Sequence, residues 1–152
     1  MQDVIAKGIL LGCYVITVKG KDAINGMTAS WVSQVSFEPK MLMVSIAPER
    51  YTNELIRESG YFAVNVLSEE QIELAKHYGF KSGRDADKFA NVGYFDAPNG
   101  SPVLNSAMAY IECKTVSIFK AGDHELFVGE AVAAKMLKSD KQPLPFRWND
   151  YF

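Results

Sequence analysis

Chemistry that depends on clustered reactive side chains has little to work with in this chain. Among 152 residues there are two cysteines and two histidines. Cys13 and Cys113 are far apart and form no CxxC or metal-ligand spacing. His77 and His124 sit in no group of Cys, His or Asp ligands, so a dedicated metal site is not expected. No GxSxG, P-loop or GxGxxG is present, which removes support for acyl transfer, nucleotide hydrolysis and a Rossmann cofactor site. Sixteen basic against eighteen acidic residues leave a net charge of −2. Nucleic acid and anionic membrane, which need a basic footprint, are excluded as partners on that ground. The apolar stretch from Ile9 to Val18 is far short of the ~20 residues of a membrane span. It lacks a small-residue cleavage site and follows Asp3, so it reads as a strand and not as a signal segment. Both cysteines fall in apolar runs and read as small buried side chains, in keeping with a reducing, cytoplasmic setting.

What is there is an ordinary globular composition, 48% apolar and 22% charged. A chain of this length buries about two-thirds of its unfolded surface and fits one domain over residues 1–152. Strand signals dominate. After the first strand, Lys19 to Asp22 is a polar turn, and an extended segment runs from Ala23 to Phe37, closed by Pro39. Met41 to Ala47 alternates, with Leu42, Val44 and Ile46 on one face. Tyr61 to Leu67 is a further strand. Met108 to Phe119 and Leu126 to Leu137, separated by Lys120-Ala121-Gly122-Asp123-His124, read as a hairpin.

Two helices are expected. Thr52 is placed to N-cap a short one over 53–58, ended by Gly60. Ser68-Glu69-Glu70-Gln71 forms a capping box that opens a second, whose Ile72, Leu74, Ala75 and Tyr78 give a partial apolar stripe up to Gly79. Residues 81–105 are polar and turn-rich, too long for a mere connection. The pattern predicts a mainly β domain with short helices, a closed antiparallel barrel.

Four places carry candidate chemistry. Asn25-Gly26-Met27-Thr28-Ala29-Ser30-Trp31 crowds small and hydroxyl residues into a strand, which lets backbone approach a flat ligand while Asn25, Thr28 and Ser30 offer hydrogen bonds. A twisted edge strand with a tryptophan plugging the core accounts for the same residues. Arg50-Tyr51-Thr52 at a helix start suits an anionic oxygen group, through free N–H groups, the helix dipole and a guanidinium. The alternative there is an ordinary cap beside a solvated arginine. Ser82 to Phe89 is a charged loop ending in a cation next to an aromatic, and Gly122-Asp123-His124 is a hairpin tip whose imidazole either meets a ligand or is solvated.

The ordered set NGMTASWVSQVSFEP, Ser45 through Thr52, GRDADKF, GSPVL, GDHELFVGE and Pro143-Leu144 resembles the flavin reductase-like family of FMN-binding split-barrel proteins, nearest its flavoredoxin and ferric-reductase branch. The resemblance runs from about Gly12 to Leu144 and implies an antiparallel Greek-key split barrel. It implies that Asn25, Thr28, Ala29, Ser30 and Trp31 lie along the flavin, and that Thr52 and Lys88, helped by Arg50, belong to the phosphate end, with Phe89 next to Lys88 among the cofactor-binding residues. It places His124 at the flavin or nicotinamide side of the pocket, the one candidate catalytic residue. It also implies FMN as cofactor, NAD(P)H as electron donor, and a homodimer with the flavin near the subunit interface. The electron acceptor is then a flavin, a metal ion or a redox protein. Trp31 stands where many diffusible-flavin reductases of the family have a serine, which leans toward tightly held FMN. On that second reading the chain is a flavoredoxin-like electron carrier without NAD(P)H activity. The aromatic tail, Phe146 to Phe152, is left without a role.

Overall fold

The computed structural model describes residues 1–152. A short helix α1 (Gln2–Gly8) precedes β1 (Leu11–Gly12) and β2 (Tyr14–Lys19). Strands β3 (Ile24–Ala29), β4 (Val32–Phe37) and β5 (Lys40–Ile46) follow, then α2 (Tyr51–Ser59), β6 (Tyr61–Val66) and α3 (Ile72–Phe80). β7 (Tyr94–Asp96) pairs with β8 (Pro102–Leu104), and β9 (Ala109–Ala121) with β10 (His124–Met136). β11 (Pro145–Phe146) returns to pair with β1.

Seven strands form one antiparallel sheet in the order β3-β2-β6-β9-β10-β5-β4. β3 and β4 occupy opposite edges, yet only Ser30 and Trp31 separate them in the chain. Three residue steps reach about 11 Å at most, whereas six strand spacings would hold the edges of a flat sheet roughly 30 Å apart. The sheet must therefore curl until its edges meet. The Ser45 N–H donating to the Trp31 carbonyl at 3.0 Å extends the β4–β5 ladder up to this junction, the seam where β3 comes against β5. This is the split barrel that the resemblance implies.

Each face of the curled sheet has its own core. Ile16 and Val18 of β2 join Val44, Ile46, Phe62, Val64 and Phe127 inside, and α2 adds Leu55 and Ile56. Val15, on the opposite face, packs with Leu67, Ala75, Tyr78, Phe89 and Leu104 beneath α3 and β8. Because β2 is covered on both sides, Val15 to Val18 are all fully buried, and the run reads as continuous apolar residues instead of alternating ones. The one polar member, Thr17, donates to the Pro102 carbonyl at 2.5 Å and accepts from Asn65 Nδ2 at 3.0 Å. Asn65 Oδ1 in turn accepts from the Leu104 N–H at 2.9 Å, tying β8 to the sheet.

Local details depart from the sequence reading where tertiary contacts outweigh local signals. The extended segment predicted over 23–37 is two strands broken at the seam. α2 starts at Tyr51, with Arg50 in the cap position, because the Thr52 hydroxyl is engaged by Asn25 and caps nothing. Gly60 ends it as expected, in the left-handed conformation at φ 76° that glycine adopts without strain. Gln71 Oε1 does accept from the Ser68 N–H at 2.9 Å. Ser68 itself is held in a bridge to Pro143, so α3 begins only at Ile72 and runs through Gly79 to Phe80. The hairpin loop is two residues, Gly122-Asp123, and His124 is the first residue of β10. α1 is an addition to the two expected helices, and none of its residues is buried.

Candidate functional site

β3 runs along the seam so that its small residues meet α3 closely. A Cβ at Gly26 would lie 3.0 Å from the Tyr78 ring, and Thr28 Oγ1 donates to the Ala75 carbonyl at 2.5 Å. Beside this contact lie two adjoining cavities of about 300 and 230 Å³, which share Met27, Thr28 and Arg50.

The first cavity is polar. Lys88 is only 4% exposed, and its Nζ donates to the Gly26 carbonyl at 2.7 Å and the Tyr78 carbonyl at 3.0 Å. An ammonium has three N–H groups, so one remains uncommitted. No carboxylate is paired with it. Burial, with the Arg50 charge adding to it, pulls the Lys88 pKa down to about 8. The positive charge is costly here until an anion arrives. The N-terminus of α2 opens on the same cavity through Arg50, Tyr51 and Thr52, with no side-chain cap over its first N–H groups. Thr52 is fully buried and accepts from Asn25 Nδ2 at 2.9 Å, which leaves its hydroxyl hydrogen free to donate. Lys81 lines this cavity too, and the exposed Glu49 is the only acid there. A buried unpaired ammonium, a bare helix N-terminus and a free hydroxyl donor fit a phosphate monoester.

The second cavity is flatter and more apolar. Ala29, Ser30 and Trp31 form one wall, Ser45 and Ala47 another, and Phe146 and Trp148 of the tail close it. The Trp31 ring, 45% exposed, lies 4.8 Å from the His124 ring at a 58° tilt. His124 Nδ1 lies 2.7 Å from Asp123 Oδ1, and that hydrogen bond holds the Asp123 carboxyl below its ordinary range. The tail is fixed by the β1–β11 pairing and by Tyr151 Oη, which donates to Cys13 Sγ at 3.3 Å. Burial pushes both thiols up, Cys113 to about 12, so neither is a ready nucleophile. The groove as a whole suits a planar ring at one end and a phosphate at the other, which is the shape of FMN.

Nine of the ten residues named from the sequence line one or other cavity: Asn25, Thr28, Ala29, Ser30, Trp31, Arg50, Thr52, Lys88 and His124. Phe89 does not. Turning Lys88 toward the cavity sends its neighbour into the second core, against Tyr78 and Tyr94 at 5.5 and 5.1 Å. Sequence reasoning did not assign Lys81 or the tail pair Phe146 and Trp148, although the aromatic density of the tail was its one visible signal. A larger hollow of about 720 Å³ lies between α1 and residues 146–150. It is walled on one side by a helix with no buried residue, and the convergent donors are in the seam groove instead.

The model of the flavin reductase like domain matches residues 7–151. Diflavin flavoprotein A 1 of Synechocystis sp. is 35% identical over 130 residues, covering 85% of this chain and 23% of that protein. High molecular weight rubredoxin of Moorella thermoacetica is 37% identical over 128 residues, covering 83% of this chain and 56% of that protein. The chain thus spans from just under a quarter to little more than half of the length of these curated relatives. Among solved structures, the FMN-binding protein from Thermus thermophilus with bound 1-cyclohex-2-enone superposes with a TM-score of 0.86 at 27% identity, covering 95% of this chain and 86% of that one. Streptomyces globisporus C-1027 NADH:FAD oxidoreductase SgcE6 gives 0.85 at 26% identity, covering 91% and 82%. SgcE6 in complex with NAD and FAD fragments gives 0.84 at 27%, with the same coverage.

Proposed function

Because the chain belongs to the flavin reductase-like family, we propose that it is a flavin-linked oxidoreductase. On this reading it holds FMN in the seam groove and passes electrons from NAD(P)H to a flavin, a metal ion or a redox protein. The observation that carries this reading is the polarity of the groove. An unpaired, buried Lys88 stands at one end and the Trp31–His124 pair at the other, with β3 backbone between them. When bound, FMN supplies the hydride and single-electron chemistry; the chain supplies binding and position. Lys88, Arg50 and Thr52 hold the phosphate. Asn25 fixes Thr52, while Thr28, Ala29 and Ser30 present backbone and hydroxyls to the body of the flavin. Trp31 covers part of the ring. Asp123 orients His124, whose Nε2 is then left to face a nicotinamide at the groove mouth. Hydride transfer needs its partners about 3–3.5 Å apart, so that positioning is the main contribution asked of the protein. The likeness to SgcE6, an NADH:FAD oxidoreductase, supports a nicotinamide donor. No helix is long and apolar enough to cross a membrane. We place the chain in the cytoplasm, as a homodimer, on the family's pattern and its two free, buried cysteines.

A second reading is favoured by Trp31 and by the aromatic tail residues that wall the ring end: an electron carrier with permanently held FMN. The chain's match to only part of longer flavoproteins supports it as well. One experiment separates the two. The purified protein is loaded with FMN, and its visible spectrum is followed anaerobically as NADH or NADPH is added. Bleaching within seconds supports the enzyme. Reduction by dithionite alone supports the carrier, and a protein that retains no flavin sinks both.

A further inference from the structure

Lys88 and Lys81 both border the polar cavity, and one side chain touches both. His77 Nε2 lies 2.7 Å from the Lys88 carbonyl, and its Nδ1 lies 3.3 Å from Lys81 Nζ. The roles on the ring follow from the partners. A carbonyl oxygen only accepts, so Nε2 carries the hydrogen. An ammonium only donates, so Nδ1 is bare. The imidazole is therefore neutral, with one tautomer selected from outside. His77 and Tyr78 are consecutive on α3, and between them they grip Lys88 at both ends: His77 holds its main-chain carbonyl, and the Tyr78 carbonyl holds its ammonium. Lys88 has left any regular element and sits in a turn-rich segment, so nothing in a helix or sheet ladder fixes its backbone. The His77 bond takes that place.

We propose that His77 is a positioning residue of the anion end, a neutral Nε2–H imidazole that fixes Lys88 and Lys81 toward the phosphate of a bound flavin mononucleotide. It rests on the reading of the seam groove as the FMN site. His77 does not line the cavity. It acts through the two lysines and thereby separates FMN from riboflavin, which shares the ring and ribityl chain but has no phosphate. The short contact to Lys88 dominates, because Lys81 is exposed and its contact is longer.

Two amide side chains dissect the arrangement. In His77→Gln a terminal amide donor replaces Nε2–H toward the Lys88 carbonyl. In His77→Asn the shorter side chain offers an acceptor near Nδ1 but no donor that reaches Lys88. His77→Leu removes both. Dissociation constants for FMN and for riboflavin are measured by quenching of flavin fluorescence in the wild type and the three variants. His77→Leu and His77→Asn are expected to weaken FMN about tenfold, in line with the loss of one charge-assisted contact. Riboflavin binding should change less than about twofold, and it certifies that each variant is folded. His77→Gln should restore FMN binding to within about threefold of wild type. An unchanged FMN-to-riboflavin ratio in His77→Leu overturns the inference. Equal loss of both ligands assigns His77 a merely structural role and also overturns it, as does a glutamine variant that behaves like leucine. A wild type that does not prefer FMN to riboflavin sinks the phosphate reading itself, and is seen before any variant is made.

Discussion

Asn25 on β3 and Thr52 on α2 are joined by a buried hydrogen bond, Nδ2 donating to Oγ1 at 2.9 Å. Neither residue satisfies its own element. Thr52 is taken from local capping and Asn25 is a polar side chain in a core-facing strand, so the pair fastens the sheet edge to the helix N-terminus. It also fixes which way the Thr52 hydroxyl hydrogen points, since its lone pair is engaged by the amide.

Gly83 tests that arrangement with both Asn25 and Thr52 left unsubstituted. A Cβ there would collide with Asn25 Oδ1, so the Asn25 side chain must shift. Gly83→Ala should weaken FMN binding about fivefold, the equivalent of losing one hydrogen bond of about 1 kcal/mol. Isothermal titration of wild type and variant with FMN measures it. Unaltered affinity would show that the Asn25–Thr52 bond does not serve the ligand.

Lys88 makes phosphate binding depend on pH, and the sign follows from its depressed value. Without ligand the ammonium loses its proton near pH 8, below the ordinary 10.5. The bound phosphate favours the charged form, so above about pH 8 binding must take up a proton and grows weaker as pH rises. Below that value Lys88 is already charged and this dependence vanishes. FMN affinity should therefore fall by up to about tenfold per pH unit between pH 8 and 10, with riboflavin flat over the same range. Lys88→Met should bind FMN at least about tenfold more weakly and lose the slope. A slope that survives in Lys88→Met would assign the titration to another group.

How much of this was legible in the sequence depended on whether a residue's role was local. The hairpin of β9 and β10, the alternation of β5 and the helix stop at Gly60 follow from neighbours in the chain, and they stand as read apart from the shorter hairpin loop. The break at Ser30-Trp31 does not, since nothing in a continuous extended run says that its two halves lie at opposite sheet edges. Phe89 illustrates the same limit. Its motif makes it a cofactor-binding candidate next to Lys88, but adjacent residues in a turn point apart, and only the position of α3 decides which one enters the cavity. Lys81 and the tail residues Phe146 and Trp148 reach the groove from distant parts of the chain, through α3 and through the β1–β11 pairing.

The surface predicts association. Phe37 is 83% exposed, and Phe119, Val132 and Met136 on the long hairpin are each more than half exposed. On α1 and just after it, Val4, Ile9 and Leu10 are uncovered as well. Large apolar side chains gathered on exposed strands and one unpartnered helix call for a partner surface. Light scattering should return twice the chain mass of 16.9 kDa. Phe119→Lys should shift the equilibrium toward monomer, and a wild-type monomer would defeat the expectation.

His124 separates the two readings of function. Its Nδ1 is held by Asp123 and its ring rests against Trp31, so the imidazole is fixed at the mouth of the ring-end cavity, away from Lys88 and the polar end. Asp123 is fully solvated, so replacing His124 should disturb the fold little. If the protein accepts hydride from NAD(P)H, His124→Ala removes a side chain that places the nicotinamide. The rate of flavin reduction should then fall, or the nicotinamide KM rise, by about tenfold or more. FMN affinity should change less than in Lys88→Met, because the phosphate contacts remain. In an electron carrier there is no NAD(P)H rate to lose, and the same substitution acts on the flavin alone, moving its affinity or its reduction potential through the loss of the Trp31–His124 wall. Stopped-flow reduction of FMN-saturated wild type and His124→Ala by NADH, with the potential of each measured by dye equilibration, distinguishes these outcomes. Equally fast reduction of both proteins, at an unchanged potential, would remove His124 from the mechanism and leave it as the residue that opens β10.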